Sequence, residues 1–140
     1  MANILVADDK DYNHRMYQRF LTRGLSGLTI ESAFDGDETL EKIQADTISY
    51  DLIITDYQMP RMNGLDFLKA IQDYKKPKIM ISGVADNELY QQAKEYGATG
   101  IIEKPFEIEL LIKVVSELIE NGTSKTLEQY LVENKFIPSS

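Results

Sequence analysis

Short apolar runs alternate with longer amphipathic segments along the first 120 residues of the chain. The runs are too short for helices and rich in β-branched residues, which predicts buried strands. The segments between them carry apolar residues at helical spacing. The predicted strands cover residues 4–7, 28–34, 52–54, 78–81 and 100–102. Of these, 28–34 is the most polar, as an edge strand is. The alternation predicts an α/β fold with a mostly parallel sheet and helices on both faces.

The helical segments are delimited by capping and breaking residues. The first helix is expected to start at a cap formed by Asp11 or Asn13 and to run through Arg23. A short helix follows residues 35–37, a helix is expected over 63–74, another begins at an Asp86 N-cap and ends at Gly97, and the last covers 107–120. On the first helix, the inward residues are expected to be Met16, Phe20 and Leu21.

The change in composition after residue 120 predicts one domain over residues 1–120, followed by a short linker and C-terminal extension over 121–140. The linker, 121–126, is small and polar. Beyond it, Leu127, Tyr130 and Leu131 lie at helical spacing. We expect this stripe to pack on its own domain, although a helix that binds a partner has the same pattern.

Charge and residue usage exclude several classes of function. The chain of 140 residues has 15 basic and 23 acidic side chains, a net charge of −8, which argues against direct nucleic-acid binding. The absence of Cys excludes thiolate chemistry, and His14, expected at the surface or at a helix cap, is the single histidine. No apolar run predicts membrane insertion, and the N-terminus does not resemble a signal peptide. A cytoplasmic location is the default expectation.

Polar side chains follow four of the predicted strands: Asp8 and Asp9, Asp56, Ser82, and Lys104. Ligands of parallel α/β sheets bind outside the carboxyl ends of the strands, so we expect these side chains to converge. Three carboxylates brought together repel one another and require a cation. Oxygen ligands select a hard ion such as Mg²⁺, for which Mn²⁺ is a possible substitute.

The other two side chains at these strand ends suit a phosphoryl group. Lys104 offers a point charge and Ser82 a hydroxyl donor. The combination predicts a phosphoryl-transfer site in which a carboxylate is the nucleophile. Three carboxylates, Mg²⁺ and Lys104 sum to zero charge. Esterification of Asp56 adds about one negative charge, which Ser82 and a backbone N–H of its loop can meet with hydrogen bonds.

These elements, in this order, resemble the receiver domain of two-component response regulators, the CheY-like family. The resemblance covers residues 3 to about 120. It is carried by the acidic pair Asp8-Asp9, the phosphoacceptor position Asp56, Met59-Pro60, Gly64, the hydroxyl position Ser82 and the element Lys104-Pro105-Phe106.

The resemblance implies a doubly wound, flavodoxin-like sheet of five parallel strands in the order 2-1-3-4-5. It also implies Mg²⁺ bound by Asp9, Asp56 and the backbone carbonyl of Gln58, with Asp8 acting through water. A cis peptide bond before Pro105 is implied as well, since that geometry directs Lys104 into the site.

The function that the resemblance implies is that of a signalling switch rather than an enzyme. A sensor histidine kinase or a histidine phosphotransfer protein would donate a phosphoryl group to Asp56, and a downstream protein target, which the sequence does not identify, would read the changed surface. Two alternatives stay open: a receiver fragment of a larger response regulator or hybrid kinase, and a phosphate-independent protein-binding adaptor.

Two unrelated functions share parts of this pattern, and the sequence departs from what each of them requires. A phosphatase of the haloacid-dehalogenase type needs a second Asp two residues after its nucleophile, where this chain has Gln58. A flavodoxin-like flavin carrier has a phosphate loop rich in Ser, Thr and Gly after its first strand, where this chain has Asp8-Asp9-Lys10.

Two further positions predict how the switch behaves. Val84 lies two residues beyond Ser82 and cannot hydrogen-bond an attacking water, which predicts slow self-dephosphorylation. Ile101 occupies the position where many receivers carry a switching aromatic residue. An isoleucine gains nothing from exposure, so we expect Ile101 to stay packed. The signal would then leave through residues 82–85 and the next helix.

Overall fold

The computed structural model describes residues 2–45 and 47–138. Its parallel strands are β1 (Ala2–Ala7), β2 (Leu28–Ala33), β3 (Leu52–Asp56), β4 (Lys78–Ser82) and β5 (Gly100–Glu103). Its helices are α1 (Asp11–Gly24), α2 (Gly36–Gln44), α3 (Gly64–Ala70), α4 (Asn87–Glu95), α5 (Ile108–Asn121) and α6 (Lys125–Glu133). Within the described part of the chain, no helix is long and apolar enough to cross a membrane.

The strands form one sheet in the order β2-β1-β3-β4-β5, and every neighbouring pair is parallel. This confirms the predicted α/β fold and strand order. Ala7 lies opposite Thr55, so Asp8 and Asp56 leave adjacent strands at the same level. Because all strands run in one direction, their carboxyl ends and the polar residues there share one edge of the sheet.

The alternation of side chains along β1 separates two hydrophobic layers. Ile4 and Val6 point to one side, where their hydrophobic cluster includes Leu21 of α1 and Leu111 of α5. Leu5 and Ala7 point to the other side, where they pack with Phe67 of α3. All four β1 residues are fully buried, which is the pattern of a central strand covered on both faces.

α1 differs from its prediction in its start and in its buried face. It begins at Asp11, and its N-cap residue, Lys10, makes no capping hydrogen bond through its side chain. The predicted Asp11 or Asn13 cap is therefore wrong. Leu21 is buried as expected, but Phe20 is exposed and Tyr17 is buried in its place. The apolar residues of this segment lie on both sides of the helix, so spacing alone did not identify the inward side.

The other helix signals agree more closely with the structure. Asp86 caps α4 by accepting a hydrogen bond from the Leu89 N–H, as predicted. Asn63 caps α3 in the same way, but α3 ends at Ala70 rather than near Tyr74.

The chain continues beyond α5 into a sixth helix. α5 ends at Asn121, and Gly122 adopts the left-handed conformation with φ 75° that favours glycine. Only residues 122–124 separate α5 from α6, so the connection is shorter than the predicted 121–126. The apolar stripe of α6 is buried on its own domain, as expected. The last two residues of the predicted extension, Ser139 and Ser140, lie outside the described residues.

Candidate functional site

Three carboxylates converge at the carboxyl edge of the sheet. Asp8 and Asp9 come directly after β1, and Asp56 is the last residue of β3. One carboxylate oxygen from each residue lies within 4.8 Å of those from the other two. Asp8 and Asp56 are buried and Asp9 is half-buried, so water screens their repulsion poorly. The donor set consists of carboxylate oxygens, which fits a hard divalent cation such as Mg²⁺.

Asp8 is fixed by hydrogen bonds from the start of α1. One carboxylate oxygen accepts from the Lys10 N–H at 2.9 Å, and the other accepts from the Asn13 amide at 3.0 Å. The backbone carbonyl of Asp8 accepts from the Nε2–H of His14 at 2.7 Å. Each carboxylate oxygen of Asp8 thus accepts one hydrogen bond, and the two bonds orient the carboxylate at the site.

Asp56 combines burial with a cationic partner. It is 7% exposed, and its Oδ1 lies 2.9 Å from the ammonium of Lys104. Burial raises the pKa of Asp56 above its ordinary value, Lys104 opposes this increase, and the charges of Asp8 and Asp9 reinforce it. A bound cation would favour the ionised form, which is the form that can act as a nucleophile.

The loop after Asp56 lines an open cleft of about 640 Å³, which also contacts Asp9 and Lys104. Gln58, in this loop, is exposed. Gly64 lets the following helix approach closely, because a Cβ there would lie only 2.5 Å from the Asp56 carbonyl oxygen. The cleft leads to Asp56 from the side of this loop.

Ser82 ends β4 and is almost fully buried. Its hydroxyl donates to the Val84 carbonyl at 2.5 Å and accepts from the Val84 N–H at 3.1 Å. The hydroxyl is thus engaged with its own loop rather than with the carboxylates. Val84 itself is 62% exposed.

Lys104 comes directly after β5, and its backbone N–H donates to the Ser82 carbonyl at 2.8 Å. The Lys104–Pro105 peptide bond is cis, the geometry that the resemblance implies. The side chain of Lys104 is 34% exposed, and its ammonium reaches Asp56. The structure thus joins Asp8, Asp9, Asp56 and Lys104 in one cluster and leaves Ser82 turned toward Val84.

Sequence reasoning missed three residues of α1 that support this cluster. Asn13 was assigned to helix capping, and His14, expected at the surface, is 4% exposed, with its ring centroid 4.4 Å from that of Phe34. Tyr17 is buried, and its pKa is raised by that burial and by the charges of Asp8 and Asp56. The signal available in the sequence was spacing: residues 13, 14 and 17 share one face of a helix that starts beside Asp8.

A five-stranded sheet in the order 2-1-3-4-5, with an acidic cluster and a lysine at its carboxyl edge, defines the class of phosphoryl-accepting α/β signalling domains. The family model described as "Response regulator receiver domain" matches residues 4–116. The chain belongs to this family, and it is a receiver domain of the two-component type.

Individual relatives agree with the family assignment. The chain is 36% identical over 118 residues to the response regulator RR06 of Streptococcus pneumoniae, covering 84% of this chain and 52% of that protein. It is 32% identical over 131 residues to the hybrid signal transduction histidine kinase K of Dictyostelium discoideum, covering 86% of this chain and 10% of that protein. The chain thus spans about half the length of the first relative and about a tenth of the second.

A solved structure shows the same fold. The chemotaxis response regulator CheY4 of Vibrio cholerae superimposes with a TM-score of 0.75 at 34% sequence identity, covering 84% of this chain and 98% of that one.

Proposed function

We propose that the chain accepts a phosphoryl group on Asp56 in the presence of Mg²⁺ and thereby switches a protein-binding surface. The observation that carries this proposal is the cluster of Asp8, Asp9 and Asp56, in which one oxygen from each lies within 4.8 Å of those from the other two, with Lys104 at 2.9 Å from Asp56. The family supports a sensor histidine kinase or a histidine phosphotransfer protein as the donor, and a cytoplasmic setting. Small acyl phosphates are expected to serve as donors as well.

The transfer step requires an ionised Asp56. One of its oxygens forms a bond to phosphorus while the bond between phosphorus and the donor breaks. With a phosphohistidine donor, the electron pair of that bond stays on the imidazole nitrogen. Lys104, which lies 2.9 Å from Asp56, would hold an oxygen of the transferred group. Mg²⁺ would be held by Asp9, Asp56 and the Gln58 carbonyl and would neutralise the charge that otherwise repels the anionic donor.

Ser82 must change its partner when the group arrives. Phosphorylation adds about one negative charge to the site, and the Ser82 hydroxyl and a backbone N–H of its loop are the donors that can balance it. The hydroxyl now donates to the Val84 carbonyl, so its rotation releases that carbonyl and allows residues 83–85 to move. This loop leads directly into α4, which supports a changed surface around its start. Ile101 is fully buried, consistent with its expected packing.

The first experiment measures the intact mass of the protein after incubation with acetyl phosphate and Mg²⁺. We expect the wild type to gain the mass of one phosphoryl group, and Asp56→Asn to gain none, because an amide is not a nucleophile for phosphorus. Asp66→Asn is the matched control, since Asp66 is exposed on α3. Full labelling of Asp56→Asn would disprove the assignment, and a wild type that takes no label would favour the phosphate-independent adaptor.

The lifetime of the phosphoryl group gives a second prediction. Hydrolysis needs a water in line with phosphorus, and polar side chains two residues beyond Asp56 and Ser82 would hold it. Val84 occupies the second of these positions and cannot form the hydrogen bond. We therefore expect slow self-dephosphorylation and a decay several-fold faster in Val84→Glu, measured as loss of the mass gain over time. An unchanged or slower decay would refute this account.

A larger protein is the setting that the lengths of the relatives support. A receiver joined to an output domain, or to a hybrid kinase, would use the same Asp56 switch. The identity of the downstream target is expected to depend on that context.

A further inference from the structure

α6 lies outside the residues that the family model matches. The family match ends at residue 116, within α5, whereas α6 covers Lys125–Glu133. α6 packs against α5 and β5, and the ring of Phe136, just after it, lies 5.8 Å from the ring of Tyr90 on α4. This segment therefore closes the outer side of β5, which is an edge strand of the sheet.

The docking of α6 is specific. Leu127, Leu131 and Phe136 are almost fully buried in the same core as the residues of β5. The Leu127 side chain packs so closely over Gly100 that a Cβ there would lie 2.8 Å from its Cδ2 atom. A larger residue at position 100 would have to displace the Leu127 side chain, so this part of β5 is fitted to α6.

The start of α6 is held by a carboxylate of α5. Glu117 accepts hydrogen bonds from the Ser124 hydroxyl at 2.7 Å and from the Thr126 N–H at 3.0 Å. Ser124 also caps α6 by accepting from the Leu127 N–H. The helix is thus fixed at its N-terminal end independently of its contact with β5.

One hydrogen bond connects α6 to the candidate phosphorylation site. The Tyr130 hydroxyl accepts from the Glu103 N–H at 2.8 Å. The next N–H along the chain, that of Lys104, donates to the Ser82 carbonyl at 2.8 Å. Residues 103 and 104 are therefore held from both sides, by α6 on the outer side and by the hydroxyl-bearing residue of the site on the inner side.

We propose that α6 is part of the phosphorylation switch and that Tyr130 is a positioning residue for Lys104, acting through the Glu103 amide. This inference rests on the proposed function of Asp56. With the end of β5 fixed, the Lys104 ammonium is held where it bonds Asp56. If a phosphoryl group on Asp56 changes the positions of Lys104 and Ser82, the backbone of residues 103 and 104 moves with them. Coupling between two sites is reciprocal, so phosphorylation alters the docking of α6 as α6 alters phosphorylation.

A helix over an edge strand also has a simpler use, which is to prevent the edge from pairing with another chain. Burial of Leu127 and Leu131 is sufficient for that purpose. The Tyr130 hydroxyl contributes little to coverage, because a phenylalanine ring would cover the same surface. Removal of the hydroxyl therefore distinguishes a role in positioning Lys104 from simple coverage of the β5 edge.

The experiment compares Tyr130→Phe with Tyr90→Phe. Both remove a hydroxyl from a tyrosine that packs in or against the same hydrophobic cluster, and among the described residues the Tyr90 hydroxyl forms no hydrogen bond with β5. The rate of acyl-phosphate formation is measured by intact mass with acetyl phosphate over a series of Mg²⁺ concentrations. We expect Tyr130→Phe to lower the maximal rate by about two- to fivefold, the effect of one net hydrogen bond. The half-saturating Mg²⁺ concentration stays nearly unchanged, the melting temperature falls by only a few degrees, and Tyr90→Phe reacts at the wild-type rate.

A second readout follows the coupling in the other direction. Amide hydrogen exchange of residues 127–136 is compared with and without beryllofluoride and Mg²⁺, which mimic the phosphorylated state. We expect a change in exchange in the wild type and a smaller change in Tyr130→Phe.

The outcomes separate this proposal from the one it rests on. A wild type that takes no label contradicts the proposed function and this inference with it. A labelled wild type whose rate equals that of Tyr130→Phe contradicts only the role of Tyr130. Equal slowing by both tyrosine substitutions also contradicts that role, because it indicates general loosening of the core. If amide hydrogen exchange in residues 127–136 is the same with and without beryllofluoride, the reciprocal coupling is contradicted.

Discussion

β2 and β5 form the two edges of the sheet, and each is protected by a different set of contacts. β2 is held by polar side chains: Glu31 accepts from the Lys42 ammonium at 2.9 Å and from the Tyr50 hydroxyl at 2.6 Å. Thr29 of the same strand is exposed. β5 is instead covered by α6, and Ile101 and Ile102 are fully buried.

The two edges also differ in the residues at their carboxyl ends. None of the converging carboxylates, the serine or the lysine lies at the end of β2, whereas β5 leads directly into Lys104. β2 meets the site at its carboxyl end, where the Ala33 carbonyl accepts from the Asp8 N–H at 3.0 Å. A truncation in the middle of β2 should therefore lower stability with little effect on the site. Damage at the β5 edge should lower both stability and the rate of phosphorylation. Paired substitutions at the two edges test this contrast.

The largest effect is expected from truncating a buried side chain at each edge. Leu131 of α6 and Ile30 of β2 are 2% and 8% exposed. Leu131→Ala and Ile30→Ala should each lower the free energy of unfolding by about 2–4 kcal/mol, through lost burial and the cavity left behind. The measurement is urea unfolding, with labelling by acetyl phosphate on the folded protein. Only Leu131→Ala should also slow the labelling.

The comparison between the edges fails if both variants slow labelling equally. In that case the site would respond to global stability rather than to the packing of α6. A Leu131→Met variant is the matched control, because it conserves volume and should cost less than about 1.5 kcal/mol.

The convergence of the site residues was largely readable from the sequence. Asp8, Asp56 and Lys104 lie at the ends of buried strands, and a parallel sheet leaves no choice about which edge receives them. Their convergence depends on strand direction and order, not on details of packing. The same argument predicts that Ser82 lies at this edge. It does not predict the hydrogen-bond partner of the Ser82 hydroxyl, because rotation about one side-chain bond directs that hydroxyl either to Val84 or to the carboxylates.

Packing was less readable. In α1, apolar and aromatic residues lie on both sides of the helix, so Phe20 was placed inward while Tyr17 and His14 are the buried residues. In α6, the spacing of Leu127, Tyr130 and Leu131 indicated a helix with one apolar side. It did not indicate which surface that side covers, because a helical stripe specifies its own buried face but not its partner.

The smallest effects are expected at two glutamates, one at each edge. Hydrogen bonds lower the pKa of Glu31, chiefly that from the Tyr50 hydroxyl and then that from Lys42. They lower the pKa of Glu117 as well, chiefly that from the Ser124 hydroxyl. A carboxyl group whose pKa is lowered by folding stabilises the protein above its unfolded pKa. That contribution is lost as the pH falls through the folded pKa.

Glu31→Gln and Glu117→Gln should therefore cost stability at neutral pH, and the cost should disappear between about pH 5 and about pH 3. Solvent screens both groups, so we expect about 0.5 kcal/mol or less for each, from urea unfolding across this range. The edges should differ in a second measurement. Glu117→Gln should speed amide exchange in α6 at neutral pH, because Glu117 holds the start of that helix, whereas Glu31→Gln should leave α6 unchanged. If Glu31→Gln loosens α6 as much as Glu117→Gln does, the two edges are not independent and the contrast between them is wrong.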